Sequence, residues 1–430
     1  MSSPLRYLLL SIRELLTSAG PVVLLAFLLL GLAYAWLDPT PPKQVTLATG
    51  PGQSAYDEFG QRYAKALAAY GIQVNLVQSE GAAQNLQWLA QGKVDLGFVQ
   101  GGSSDLPDTP QLTSLGSLFV EPLWLFYRSP KPLNALVDFR DMRINVGTEG
   151  SGVPRLMNQL FELNRMDQST LKLSRLAQTP ATVAFLDQQI DALLFASAPE
   201  SSMVQMLLQT PGVRLMDFSH SEAYARRFPF LTPVTLPRGV VDLAGDVPPQ
   251  DMHLVATTTT LLAGPHVHPA LLQLFAQAAL SLHSRSGWFS RTHEFPNVDH
   301  TEFTVSDEAQ RTIRSGIPLL QRYLPFAYAN LIERMWLALG IILAVLLPLS
   351  RIVPPLYAFR IRSRVFRWYG QLRNIEERSA APDASTSALI EELQALAARV
   401  EKITVPLSYA DELYALRNHI DLARQRLLKH

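Results

Sequence analysis

The chain contains no cysteine. That removes disulfides, thiolate metal sites and thiol nucleophiles together. It suits an oxidising compartment, a trait shared with many cytosolic chains. Charge is scarce too: 17% of the 430 residues are charged against 48% hydrophobic. So apolar a balance predicts membrane segments, and the length allows one to three domains. The 37 basic and 37 acidic residues cancel, which excludes a general affinity for nucleic acid.

Several chemical signatures are missing. No Gly-x4-Gly-Lys-Ser/Thr loop, no Gly-x-Ser-x-Gly elbow and no His-Glu-x-x-His pair occurs, so neither a phosphate loop, a hydrolase nucleophile nor a zincin site is encoded in the usual form. Gly50-Pro51-Gly52 opens a partial dinucleotide fingerprint. Ala55 stands at its third glycine, and the next strand ends in Gln78-Ser79 with no acid for a ribose. His266 and His268 flank Val267 without a nearby cysteine or carboxylate in sequence, and His283, His293 and His300 are scattered. No catalytic residue, metal site or cofactor is expected.

What is present begins with two apolar runs. Leu15 to Leu37 carries no charge over 23 positions, enough to cross a bilayer core of ~30 Å at ~1.5 Å per residue. Residues 1–14, with Arg6 and Arg13, precede it. "AYA" at 33–35 also matches a small-x-small cleavage site, but the run is long and begins late for a signal peptide. A retained span at 15–37 is the expectation. Met335 to Ser350 is also uncharged, and a second span is placed at 331–350. Arg351, Arg360, Arg362, Arg364, Arg367 and Arg373 follow it without an acid among them, in a basic juxtamembrane segment at 351–378. Trp368 and Tyr369 there suit lipid headgroups. Positive flanks stay in the cytoplasm, so both termini are expected inside a bacterial inner membrane and the residues between the spans outside, in the periplasm.

Those intervening residues alternate strand and helix. "VTLATG" (45–50), "IQVNLVQS" (72–79) and "DLGFVQ" (95–100) read as strands. Between them Tyr56, Phe59, Tyr63, Leu67 and Tyr70 recur at helical steps, and a second helix covers 82–91. The pattern restarts with "MRINVG" (142–147), a helix after "TEGSG", "LKLSRL" (171–176), a helix from Thr179 to Gln189, and "DALLFAS" (191–197). Strands separated by helices predict parallel sheet, here in two α/β lobes. After Leu231 the chain reads as loop-rich, then as a strand at 252–264 and an amphipathic helix with Leu271, Leu272, Phe275, Ala279 and Leu282. "PLWLFYRS" (122–129) and 252–264 are the expected crossings between lobes, and paired crossings make a hinge.

In open α/β sheets, loops after parallel strands converge on a cleft. A helix that follows presents free N–H groups and a positive dipole end, which favour an anion. "TGPGQSAY" (49–56), "SEGAAQN" (79–85) and "TEGSG" (148–152) fit that description, with hydroxyls on Thr49, Ser54, Thr148 and Ser151. Each such residue can also serve only as a turn or cap.

The stretches "ATGPGQSAYDEFGQRYAKAL", "VQSEGAAQNLQWLAQGKVDLGFVQGG", "SLGSLFVEPLWLFYR", "INVGTEGSG" and "ASAPESSMVQMLLQTPGVRLMDF" together resemble the TAXI group of TRAP-transporter solute-binding proteins. "LQRYLPFAYANLIERMW" and the basic tail resemble its membrane-anchored branch. The resemblance implies a type II periplasmic-binding-protein fold, with lobe 1 at 44–127 and 252–325 and lobe 2 at 128–251. It implies a receptor that closes on a small organic anion, an amino acid or dicarboxylate, and hands it to TRAP-type permease subunits. It places Thr49, Gly50, Ser54 and Tyr56, then Asn85 and Gln100, and in the second lobe Thr148, Ser151 and Gly152, around the ligand. "GPGQSAY" and "EGAAQN" depart from the usual loops of the group.

Residues 379–387 read as a linker. Beyond it Leu389, Leu393, Leu396, Val400 and Ile403, then Leu413, Leu416, Ile420, Ala423 and Leu427, recur at steps of three and four. Ser408 with Asp411 and Glu412 signs a helix start after Pro406. The expectation at 385–430 is a cytoplasmic helical hairpin, either self-contained or used for self-association. A ligand sensor signalling through this tail is the alternative to a transport receptor.

Overall fold

The computed structural model describes residues 4–103, 112–199, 201–299, 302–379, 386–403, 405 and 409–429. It divides into two compact units, Thr40–Asn330 and Met1–Pro39 with Leu331–His430. The first helix, α1 (Pro4–Leu37), belongs to the second unit.

The Thr40–Asn330 unit starts with β1 (Gln44–Ala48), whose Val45 and Leu47 are buried. Helix α2 (Ala55–Ala68) follows, with Ser54 capping it by accepting the Asp57 N–H at 3.3 Å. Asp57 and Glu58 in its first turn and Lys65 in its last complement the dipole. Tyr56, Phe59, Tyr63 and Leu67 form the buried face as expected, but Tyr70 lies beyond the helix end and is half exposed. Then come β2 (Gln73–Val77), α3 (Ala82–Ala90) and β3 (Leu96–Gln100). β1 pairs in parallel with β2 on one side and β3 on the other.

β4 (Thr113–Tyr127) is a 15-residue strand, longer at its start than the sequence suggests, and buried almost throughout. The next elements are β5 (Arg143–Asn145), α4 (Val153–Leu163), β6 (Lys172–Ser174), α5 (Gln178–Leu186) and β7 (Ala192–Ala196). β5 pairs in parallel with β6 and β7. α6 (Ser202–Leu208), β8 (Arg214–Leu215), α7 (Ser221–Arg227) and β9 (Leu231–Leu236) complete this half. β9 corrects the loop expected after Leu231. It pairs antiparallel with β10 (Met252–Ala263), Pro233 opposite Val255, and a proline is tolerated there because β9 has only one neighbour. α8 (Pro269–His283) and α9 (Asp307–Ser315) return to the first half.

The strand order is β2-β1-β3-β10-β4-β7-β5-β6. β4 lies against β10 from Thr113 to Pro122 and against β7 from Leu123 to Tyr127. β10 lies against β3 from Thr259 onward and against β9 up to Thr257. Two strands therefore pass between two sheets, each with its own core. One core packs Leu47, Tyr63, Phe98 and Phe275, the other Phe126, Phe161, Phe185 and Leu194.

α10 (Phe326–Ser379), which belongs to the other unit from Leu331 on, runs for 54 residues without a break. The expected second span and the basic segment thus share one helix. Among the described residues α10 is the helix long and apolar enough to cross a membrane; the apolar part of α1 described here, Val22–Leu37, is shorter. Trp336, Leu337, Ile341 and Leu347 on α10 are exposed. α11 (Thr386–Glu401) and α12 (Ala410–Lys429) follow. The expected linker, Pro406 and the Ser408 cap fall largely or wholly outside the described residues. Leu372 of α10, Leu393 and Val400 of α11, and Leu416 and Ile420 of α12 form one buried cluster. Two helices lie in the stretch expected as a hairpin, and the end of α10 packs with them as a third. Arg362 pairs with Glu412 at 2.8 Å and Tyr369 with His419 at 3.1 Å, so α10 and α12 run parallel and stay in step over one heptad.

Candidate functional site

Loops from the two lobes meet over a cavity of about 70 Å³. Ser54 and Tyr56 reach it from the β1–α2 loop, Glu80 and Gly81 from the β2–α3 loop, and Gln100 from the end of β3. Thr148, Ser151 and Val153 face them from the β5–α4 loop, with Gln178 at the start of α5, and the back wall is the strand Leu193–Ala196.

The lips touch. The Gly150 N–H donates to the Glu80 carboxylate at 3.1 Å. Gly81, at φ +136°, sits so close that a Cβ there would lie 2.9 Å from Ser151 Cα. A Cβ on Gly150 would come within 2.6 Å of Glu80 Cβ. Only glycine permits this approach. The two lobes are therefore in contact across the mouth.

Four helices begin at the cavity wall. Ser54 caps α2, Gly81 caps α3, Gly152 caps α4 and Ala177 caps α5. Their first residues line the cavity, so positive dipole ends converge there. No arginine, lysine or histidine is among the described residues that line it.

The nine residues expected around the ligand divide into two groups. Ser54, Tyr56, Gln100, Thr148 and Ser151 line the cavity. Thr49, Gly50, Asn85 and Gly152 are buried behind it. Asn85 donates to Thr49 O at 2.6 Å and Phe98 O at 2.9 Å and accepts from Ser79 Oγ at 2.6 Å. It clamps the first two loops together and is not on the cavity wall. Thr49 supplies the carbonyl at the centre of that clamp. Gly50 lies under the Ser54 hydroxyl, and Gly152 takes φ +82° at the start of α4. Asn145 makes a like clamp in the second lobe, accepting from Leu176 N at 2.8 Å and donating to Leu176 O at 3.2 Å, but it also lines the cavity.

Of the lining residues absent from the expected set, Glu121 is the buried charged one. It lies on β4 where that strand changes partners, is 4% exposed, and still lines the cavity. Its Oε2 accepts from Tyr56 Oη at 2.7 Å and from Thr259 Oγ1 on β10. Burial pushes its pKa up to about 7, against the pull of the two hydroxyls. Burial, then the Glu121 charge, drives Tyr56 well above the ordinary tyrosine value. One signal could have marked it: Glu121 is the only charged residue in the strand "TSLGSLFVEPLWLFY", and a lone acid in a buried apolar strand requires a partner or a task.

The His266–His268 pair has structural contacts. His266 Nε2 lies 2.8 Å from Asp95 Oδ1, and His268 Nδ1 accepts the Ala270 N–H that starts α8. Among the described residues no group of three His, Asp or Glu is disposed to hold a metal.

Solved structures similar to this chain include three ligand-binding proteins. The periplasmic aliphatic sulphonate binding protein SsuA from Escherichia coli is 16% identical, with 74% of this chain and 93% of that one covered at a TM-score of 0.35. An ancestral arginine-binding protein bound to arginine is 10% identical, with 56% and 93% covered at 0.36. The BenM effector binding domain with benzoate is 11% identical, with 60% and 100% covered at 0.39. Among curated proteins, no sequence matches the chain. The pattern of the NMT1-like family matches residues 47–270, just over half the chain, from β1 through both lobes to the first turn of α8. With that match spanning every loop that lines the cavity, the chain belongs to the NMT1-like family.

Proposed function

We propose that the chain is a membrane-held receptor that binds a small polar solute by closing its two lobes over it. The observation that carries this reading is the cavity itself: it lies between two lobes joined by two crossing strands, and helix N-termini from both sides converge on it. That arrangement suits a solute with an anionic group, an amino acid or a small organic acid. Hinged lobes on paired strands close by small rotations at the crossover. The known ligand-binding proteins of similar fold are consistent with the reading but do not carry it.

In this account α10 anchors the receptor. Its exposed apolar stretch lies in lipid, and its arginines from Arg351 to Arg373 hold the following segment in the cytoplasm. The lobes then face the periplasm, and the solute passes to a TRAP-type permease, as the TAXI resemblance implies. The packed three-helix cluster at the C-terminus favours a second reading, a sensor that reports occupancy through that bundle.

The test is a thermal-shift screen of the full chain in detergent micelles against amino acids and small mono- and dicarboxylic acids. A true ligand raises Tm with a dependence on ln(1 + [L]/Kd). If no member of those classes does so, the assignment fails. A permease encoded beside the gene favours transport over sensing.

A further inference from the structure

The cavity is electrically lopsided. Helix N-termini supply its positive field, and the formal charges on its wall are the carboxylates of Glu80 and Glu121. Glu80 is exposed at the mouth and engaged with Gly150. Glu121 is deep. One of its oxygens, Oε2, takes both protein hydroxyls. Among the described residues Oε1 has no hydrogen-bond partner, and it is not among the side-chain atoms sealed from solvent without one. A buried carboxylate with an open oxygen on a cavity wall is costly to leave unmatched. A ligand bearing only negative groups makes that cost worse, because no cationic side chain on the wall offsets it.

Resting on the solute-receptor reading above, we propose that Glu121 is the specificity-determining residue of this cavity. It selects a zwitterion, a solute whose ammonium group donates to Oε1 while its carboxylate lies against the helix N-termini, over a dicarboxylate of the same size. Tyr56 and Thr259 hold the carboxylate in place. Their hydroxyls fix Oε2, which leaves Oε1 aimed at the solute rather than free to rotate away. Gln100, 4% exposed and on the cavity wall, supplies a neutral side-chain amide for the rest of the ligand.

The experiment is isothermal titration of the full chain in detergent with matched pairs that differ only in the amine: glutamate with glutarate, aspartate with succinate, alanine with propionate. It is run at about pH 8, above the value to which burial raises Glu121. The expected result is that at least one amine-bearing member binds about tenfold or more tighter than its mate, since a site built to pair a buried polar group rejects the analogue lacking it. In Glu121→Gln that ratio collapses toward one, while Glu121→Asp, which keeps the charge, retains part of it. A wild-type chain that binds the deaminated member equally or better overturns the proposal and leaves the receptor reading intact. So does a ratio unchanged in Glu121→Gln. If no member of any pair binds, both fall. The wild-type comparison decides the matter even if the glutamine variant does not fold.

Discussion

Glu80 of the first lobe accepts the backbone N–H of Gly150 in the second, at 3.1 Å. This contact bridges the mouth of the cavity and depends on glycine at both lips. Because Glu80 is exposed, the bond is modest, about 1 kcal/mol or less. Glu80→Ala is expected to speed solute release a few-fold and leave association almost unchanged. Stopped-flow binding kinetics check this. A change confined to association contradicts it.

Gly81→Ala has a larger effect at the same seam. The added methyl would meet Ser151 Cα at 2.9 Å, and φ +136° is unfavourable for any L side chain. Closure is blocked or strained. Affinity is expected to fall by about tenfold or more, with a Tm loss smaller than that of a core mutation. Binding equal to wild type shows that the lips do not need to touch.

Asn85→Ala separates architecture from recognition. It removes bonds to Thr49, Phe98 and Ser79 and leaves their buried polar atoms unsatisfied. The expected cost is on the order of 2–4 kcal/mol in chemical denaturation. Gln100→Leu, by contrast, is expected to weaken binding with little loss of stability. Equal stability losses in the two variants contradict this division.

Stability should vary with pH through two buried groups of opposite slope. His283 lies among the rings of Phe59, Phe119 and Tyr63, and its Nε2 has no hydrogen-bond partner. Burial first, then the charge of Arg62, lowers its pKa to about 3. The unfolded chain takes up that proton near pH 6.5 and the folded chain does not, so stability is lost as pH falls from about 6.5 toward 3. Glu121 is raised from 4.5 to about 7. Its burial cost is fully present above pH 7 and fades as pH falls toward 4.5. The two trends partly cancel between about pH 6.5 and 4.5. Glu121→Gln removes one of them, so urea titrations across that window should show a steeper acid loss than in wild type. An unchanged slope means that Glu121 is not protonated on folding.

Much of the fold is visible in the sequence because its cues are local. The steps of Tyr56, Phe59, Tyr63 and Leu67 specify α2, and the alternation in "QVNLV" specifies β2. The turn after "INVG" leads directly into α4. The elements that stay hidden depend on distant partners. β9 contains Pro233 and is a strand only because β10 lies beside it. The packing of α10 against α12 needs residues fifty positions apart. The site follows the same rule. Ser54, Tyr56 and Ser151 sit in recognisable strand-to-helix loops, whereas Glu121 gains its meaning from Tyr56 and Thr259, which lie 65 and 138 residues away in sequence. Asn85 and Thr49 occupy the expected loops, but polar contact within the first lobe turns both inward.

The most direct measurement of the central idea, capture of a small solute between two closing lobes, is hydrogen exchange on the full chain with and without a solute that raises its Tm. Amides of 54–57, 80–83 and 150–153 are expected to gain protection together, on both sides of the cavity. Protection confined to one lobe, or centred on a different surface, contradicts the account.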